Sequence, residues 1–384
     1  MCIYCSINSC IIVITNKWAK KMDPNTISNE NSKELLDALT HIWNHTFSFL
    51  NSMALKCAIQ LEIPDAIQKH GKPITLKELA NSLSIHPNKT HSLYQLMRLL
   101  VHSNFFIIKK STPNQEETYD LTLNSQLLLK NHPFNQSPFA ILEMDPIITE
   151  SAHHLDEWFK NENDEDESPF HMIQGKKIYE HISSELKFND LFNEAMSCDS
   201  RIISKVLVNS SEFKGLVEGV ESLVDVGGGD GTMGKAIAEA YPEMQCIVFD
   251  LPHVVNGLQG NGRNLTYVGG RMFDAIPHAQ VILIKWAFHN WSDENVIKAL
   301  KRCKEALPNK GGKLIIIEMV MGIPSDNVNY SNAQLLIDMQ MLSASRGKER
   351  TEQQWKSLFL DAGFRDYNIL PILGPRSIIQ VFPA

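Results

Sequence analysis

The chain reads as an α/β protein: a mostly parallel sheet with an antiparallel hairpin at its C-terminal edge, preceded by a mainly helical domain. Three observations predict this. Over the second half, short apolar runs (Ser222–Val226, Cys246–Phe249, Leu265–Val268, Val281–Ile284 and Leu314–Ile317) alternate with helical patterns, the order that builds a parallel sheet. The last two runs, Phe364 to Leu370 and Ser377 to Phe382, flank Gly374-Pro375 with no helix between them, so they are expected to pair antiparallel at one edge. In the first third, apolar residues instead recur at spacings of three and four.

Residues 1–21 are expected to be an unstructured extension, or an artefact of an upstream start. Met1 to Thr15 is only mildly apolar, Ser and Asn interrupt it, and lysines 17, 20 and 21 follow the apolar part. A secretory signal carries its positive charge first, and a membrane span needs about twenty apolar residues. A first domain is placed at 22–135. From Ser32 the spacing of Leu35, Leu36, Leu39, Ile42, Trp43 and Thr46 predicts a helix that continues through Phe47 to Ile59. Its apolar face is wide enough to serve a core, a second subunit, or both. Ile74-Thr75-Leu-Lys-Glu78 opens a helix with a capping box, and after Pro87 a longer helix is expected from Thr90 to Val101. Phe105 to Ile108 and Thr118 to Thr122 then form a wing around a polar turn through Pro113.

A winged helix raises DNA binding as an alternative. The second helix carries only Lys89 and Arg98 among Leu93, Tyr94, Leu96, Met97, Leu99 and Leu100, too few cations for phosphate contact. A net charge of -8 and a pI near 6.0 point the same way, so the winged helix is read as a packing module and no nucleic-acid partner is expected. Seven cysteines, at 2, 5, 10, 57, 198, 246 and 303, show no metal spacing and suit a reducing cytosol. The second domain is placed at 136–384. Its acidic run from Asn161 to Glu167 reads as a solvated loop.

The chemistry begins at Leu223-Val-Asp-Val-Gly-Gly-Gly-Asp-Gly231, where a buried strand ends in a glycine-rich turn that opens a helix, Thr232 to Tyr241, as in Rossmann-like nucleotide sites. Glycines 227, 229 and 231 permit positive φ and close approach of backbone to ligand. Asp250, about twenty residues on at the end of the next strand, can accept from both hydroxyls of a ribose. Gly229-Asp-Gly231-Thr-Met-Gly234 also satisfies the dinucleotide pattern G-x-G-x-x-G. Asp225, two residues before the first glycine, argues for a ligand with an ammonium and against a pyrophosphate, hence for S-adenosylmethionine over NAD. The terminal hairpin discriminates the two readings in the same direction, being foreign to NAD-binding sheets.

Val281-Ile-Leu-Ile-Lys-Trp-Ala-Phe-His-Asn-Trp-Ser-Asp293, with Phe249-Asp-Leu-Pro-His-Val254, Glu318-Met-Val320 and Gly347-Lys-Glu-Arg-Thr351, resembles the plant small-molecule O-methyltransferases of the caffeate and flavonoid type. The resemblance runs from about residue 30 to the C-terminus; the family usually starts near Met22-Asp-Pro. It implies an S-adenosylmethionine-methyltransferase sheet behind a winged-helix dimerisation domain, and a cytoplasmic, metal-independent homodimer acting on a small aromatic acceptor with a phenolic hydroxyl. Gly227, Gly229, Asp250, Leu251, Met272 and Lys285 would then hold the donor with Asp225. Phe170, Met196, Trp286 and Met341 would wall the acceptor pocket, the methionines adapting to aromatic faces. His289, with Glu318 and Glu349 as the acids that orient it, would be the general base; a phenol of pKa about 10 is a poor nucleophile until its proton is removed. Flavonoids, stilbenes, hydroxycinnamates and benzylisoquinolines all remain open as acceptors.

Two positions depart from the family pattern. Gly269-Gly-Arg271-Met-Phe273 has arginine where an acid commonly accepts from the adenine amino group, and arginine has no acceptor. His289-Asn290-Trp291 replaces His-Asp-Trp. The first departure predicts a weakened donor site, with a catalytically impaired homologue as the alternative reading.

Overall fold

The computed structural model describes residues 29–110, 116–162 and 168–383. The extension 1–21, the tip of the wing and most of the acidic run lie outside the described residues.

The expected first helix is two, Asn29–Thr46 and Phe49–Gln60. At the break, Phe47-Ser48, the backbone tightens to three-residue bonds, the Ser48 amide to the His45 carbonyl at 3.3 Å and the Leu50 amide to the Phe47 carbonyl at 3.0 Å, and the Ser48 hydroxyl also donates to the His45 carbonyl at 2.8 Å. Helix Ile63–His70 leads to β1 (Ile74–Thr75), helices Leu76–Ser82 and Thr90–His102, then β2 (Phe106–Lys109) and β3 (Thr118–Leu121). These strands form a three-stranded antiparallel sheet in the order β1-β3-β2. The capping box closes as expected, Thr75 Oγ1 accepting from the Glu78 amide while Glu78 accepts from the Thr75 amide at 2.9 Å. Leu93, Met97 and Leu100 of the second helix are buried with Ile63, Ile67, Leu79, Phe106 and Tyr119, so its apolar face is used inside its own domain.

The N-terminal pair behaves differently. Leu36, Ile42, Trp43, Phe47 and Phe49 are each more than half exposed on the single chain, a contiguous apolar face of the kind that marks an interface.

Beyond helices Ser137–Glu143 and Leu186–Asn209, the second domain is built on β4 (Ser222–Val226), β5 (Gln245–Asp250), β6 (Leu265–Gly269), β7 (Val281–Lys285), β8 (Lys313–Met321), the short β9 (Arg350–Thr351), β10 (Phe364–Leu373) and β11 (Arg376–Pro383). The strand order is β10-β11-β8-β7-β4-β5-β6, with β9 pairing β8 beside the path. β4 to β8 are parallel; β11 runs antiparallel between β8 and β10, so the terminal hairpin sits at the edge as expected and brings Ser377 opposite Glu318. β4, β7 and β8 are almost wholly buried because helices cover both faces, and this is why they read as continuous apolar runs. The C-terminal ends of the parallel strands all open toward one rim. There the glycine turn, Asp250, Lys285 and Glu318 meet. Among the described residues, no helix is long and apolar enough to cross a membrane.

Candidate active site

The glycine turn after β4 is shaped by its neighbours. Gly227 and Gly229 have φ of 72° and 58°, and nothing lies within 4 Å of where a Cβ on Gly229 would stand, which leaves its backbone open to the rim. At Gly231 a Cβ would lie 2.4 Å from the Tyr267 hydroxyl, which donates to the Asp230 carbonyl at 3.0 Å. Asp230 ties the turn to the long helix by accepting from Ser197 at 2.8 Å. Asp250 accepts from the Gly229 amide at 2.8 Å and the Leu251 amide at 2.6 Å. Each carboxylate oxygen has two lone pairs, so the group can still accept from ribose hydroxyls. Open glycines beside an acid at the strand end fit an adenosine donor.

Asp225, expected at the donor, also has a structural partner of its own. Its carboxylate is buried and accepts from the Gly234 amide at 3.1 Å, inside the first turn of helix Thr232–Ala240. Burial raises its carboxyl to about 7, against the opposing pull of Lys285 and the Gly234 hydrogen bond. One oxygen fastens the helix start, where a negative charge suits the helix dipole.

Arg271 projects outward, two-thirds exposed, with Nε 4.0 Å from the Asp274 carboxylate. Met272 is half-buried against the main core and Leu251 is exposed at the rim.

Lys285, at the end of β7, is buried and lies 2.7 Å from Asp199 of helix Leu186–Asn209. Arg376, at the start of β11, donates to the other Asp199 oxygen at 2.6 Å. Burial would raise the Asp199 carboxyl, but the two cations hold it below the ordinary range. Burial lowers Lys285, while Asp199 works against that shift.

Next in the chain, Trp286 has a left-handed backbone, φ 53°, strained for an aromatic residue, and its ring centre is 5.6 Å from that of His289. The turn that follows is held by Glu318 of β8, fully buried, one oxygen accepting from the Ala287 and Phe288 amides at 2.9 and 2.8 Å. His289 is thereby presented on a short 3-10 turn, buried, with Nδ1 2.7 Å from Glu349 and 3.9 Å from Glu318. The two acids are therefore not equivalent. Glu349 bonds the imidazole directly, and Glu318 builds the turn and stands behind it. Burial lowers the His289 pKa, an effect that Glu318 opposes and that Arg376, Lys285 and Arg350 reinforce. Burial raises Glu349 to about 8, with Asp338 adding to it and Arg350 and Arg376 opposing. With Nδ1 engaged, Nε2 is the nitrogen left for a substrate.

Sequence spacing had not shown that His289, Glu318 and Glu349 bring ligating atoms within 4.8 Å of one another, a grouping able to hold a metal ion. The geometry already assigns those atoms to hydrogen bonds: Nδ1 to Glu349, and one Glu318 oxygen to two amides.

The acceptor-wall residues divide. Trp286 keeps exposed surface, as do Met196 and Met341, which is in helix Val328–Ser345. Phe170 does not: it is fully buried among Leu142, Ile148, Ile178, Ile182 and Phe188, its ring edge-on to His181 at 5.8 Å. Sequence reasoning missed Asp199, Arg376, Arg350 and Tyr179. Tyr179 packs edge-on to Phe192 at 6.2 Å and lies near Asn290, the second departure residue. Only the fold brings these groups together.

Two family matches follow this geometry, an O-methyltransferase dimerisation domain over residues 43–131 and an O-methyltransferase domain over 152–365. The chain is 48% identical over 355 residues to a trans-resveratrol di-O-methyltransferase of Vitis vinifera, covering 92% of this chain and 98% of that one. It is 46% identical to an 8-hydroxyquercetin 8-O-methyltransferase of Mentha piperita, covering 94% and 99%. Among solved structures, human N-acetylserotonin methyltransferase in complex with S-adenosylmethionine superposes with a TM-score of 0.73 at 18% identity, covering 94% of this chain and all of that one. A methyltransferase of calicheamicin biosynthesis, bound to S-adenosylhomocysteine, gives 0.75 at 21%, with the same coverage. At such identities the structures speak for the fold, and the close relatives speak for the family: this chain belongs to the plant S-adenosylmethionine-dependent small-molecule O-methyltransferases.

Proposed function

We propose that this enzyme methylates a phenolic hydroxyl of a small aromatic secondary metabolite, with His289 as general base. The observation that carries the reading is the buried His289–Glu349 pair at 2.7 Å, which commits Nδ1 and leaves Nε2 as the nitrogen for the acceptor. Bound S-adenosylmethionine supplies an already activated methyl sulfonium, so the chain's contribution is to position the acceptor oxygen and remove its proton. Nε2 takes that proton, and the resulting imidazolium is stabilised by Glu349 directly and by Glu318 at 3.9 Å. Asp250, Leu251, Met272, Lys285 and the backbone of Gly227 and Gly229 are the donor-binding groups in this reading. Trp286, Met196 and Met341 face the ring. The relatives named for resveratrol, 8-hydroxyquercetin and eugenol point to a phenolic acceptor with a stilbene, flavonoid or phenylpropene skeleton. The test is purified protein with labelled donor and a panel of such phenols, run with and without EDTA. Methyl transfer that survives chelation supports the mechanism, and transfer abolished by chelation and restored by a divalent cation overturns it.

The enzyme is proposed to act as a homodimer through the exposed face of its first two helices. Buried aromatic anchors at interfaces are each worth about 2 kcal/mol or more. Trp43→Glu with Phe47→Glu should therefore weaken association by roughly a thousandfold. Light scattering on the parent should report twice the 43.4 kDa chain mass, and the double variant should report one chain. A double variant that remains dimeric at micromolar concentration would place the interface elsewhere.

The outward course of Arg271 supports a donor site that this residue does not weaken. With the guanidinium in solvent, water can reach the adenine amino group and accept its hydrogen bond at little cost. Arg271→Asp should change S-adenosylhomocysteine affinity by no more than roughly threefold in calorimetric titration. A tightening of about tenfold or more would show that the amino group does lack a partner in the parent.

A further inference from the structure

Asp199 and Arg376 are 177 positions apart in the chain, yet they meet in a buried charge cluster directly under the site. Asp199 satisfies one edge of the Arg376 guanidinium, and the guanidinium carbon lies 4.0 Å from the centre of the Trp286 ring. A buried, desolvated cation–π contact of this kind is among the stronger ones, and arginine makes it with a flat face that lysine lacks. The Trp286 backbone is left-handed, a conformation that persists only where the surroundings over-determine it. The surroundings here are specific: Arg376 against the ring, Phe139 stacked at 6.0 Å, and the Trp286 amide bonded to the Ile317 carbonyl at 3.0 Å.

We propose that Arg376, braced by Asp199, is a positioning residue for methyl transfer: it fixes the Trp286 ring as the acceptor wall beside His289 and so sets the approach of the phenolic oxygen to Nε2. The proposal rests on the reading of Trp286 as acceptor wall and His289 as base. Arg376 does not touch the reacting atoms; it acts through the ring. Its charge also reaches the base. Five charged groups surround His289: Lys285 from β7, Glu318 from β8, Glu349 and Arg350 from β9 and the loop before it, and Arg376 from β11. Of these, the arginines and the lysine disfavour the imidazolium.

Two variants separate ring positioning from charge. Arg376→Lys keeps the cation and a partner for Asp199 but loses the flat stack, so it should lower kcat/KM for the acceptor by roughly tenfold or more, chiefly through KM. Affinity for S-adenosylhomocysteine and the acid limb of the pH–rate profile should stay at parent values. Arg376→Met removes the charge as well and should move that limb to higher pH. Parent-like kcat/KM in Arg376→Lys overturns the proposal, and so does a parallel loss of acceptor turnover and S-adenosylhomocysteine binding, which would mean a merely structural role. A fully active His289→Ala enzyme would instead sink the base reading, whatever the lysine variant does.

Discussion

His289→Ala should lower kcat by roughly 10²–10⁴-fold while S-adenosylhomocysteine binds as in the parent, the scale of a lost acid–base group. The argument is one of proton balance. A phenol titrating near 10 holds its proton at neutral pH, and a methyl transfer that left an oxonium behind would be uphill by the missing deprotonation. Calorimetry of the donor product separates this from a folding defect, and near-parent turnover would refute the assignment. The pH profile follows from the pair. In the proposed mechanism the competent form carries one proton on Nδ1, donated to the Glu349 carboxylate, with Nε2 bare. A second proton enters either as imidazolium, which burial and three cations disfavour, or on Glu349, whose carboxyl burial raises to about 8. In both cases Nε2 ends up protonated, so activity is lost as pH falls through one acid limb belonging to the pair, on the acid side of about pH 8. Glu349→Gln removes the second proton site and the counter-ion together. The limb should then move to lower pH, and kcat should fall roughly tenfold to a hundredfold, as for a lost hydrogen bond to a charged group.

The parallel strands were legible because β4, β7 and β8 are covered on both faces and so must be continuously apolar. The hairpin was legible because Gly374-Pro375 leaves no room for a crossover helix. What failed to show was whatever depends on the direction of a side chain. Asp225 lies in a pattern that suits a ligand ammonium, and the pattern does not show that the amide of Gly234, in the first turn of the following helix, also takes one of its oxygens. Phe170 has the spacing of a pocket residue, and the tertiary cluster around it decides that it is buried. The split at Phe47-Ser48 lies in a change of backbone bonding that side-chain periodicity does not register. Asp199 carries no motif at all. Its meaning comes from Lys285 and Arg376, which only the sheet order places on the two sides of its carboxylate.

Glu318 is where local structure and chemistry are hardest to separate, and two substitutions separate them. Its carboxylate holds the Ala287 and Phe288 amides on one oxygen, in a site with no exposure to water. Glu318→Ala orphans both amides. At about 1–3 kcal/mol for each buried donor left unpaired, the loss of stability should be about 2–6 kcal/mol, a large share of the 5–15 kcal/mol that holds a typical domain together. The turn that presents His289 would relax with it, so activity should fall below measurement in whatever protein remains folded. Glu318→Gln keeps a carbonyl oxygen for both amides and removes only the charge. Burial already pushes this carboxyl toward its neutral form, with Glu349 adding to that push and His289 opposing it, so the fold should tolerate the amide with little change in denaturation midpoint. Any cost should appear in kcat, because the charge 3.9 Å from Nδ1 matters only once the imidazole is protonated. Chemical denaturation of both variants beside steady-state kinetics reads the two effects apart. If Glu318→Gln is as unstable as Glu318→Ala, the carboxylate supports the turn through its charge and not through the acceptor geometry described above. If Glu318→Ala is as stable as the parent, the two amides find other partners and Glu318 is not what shapes the turn.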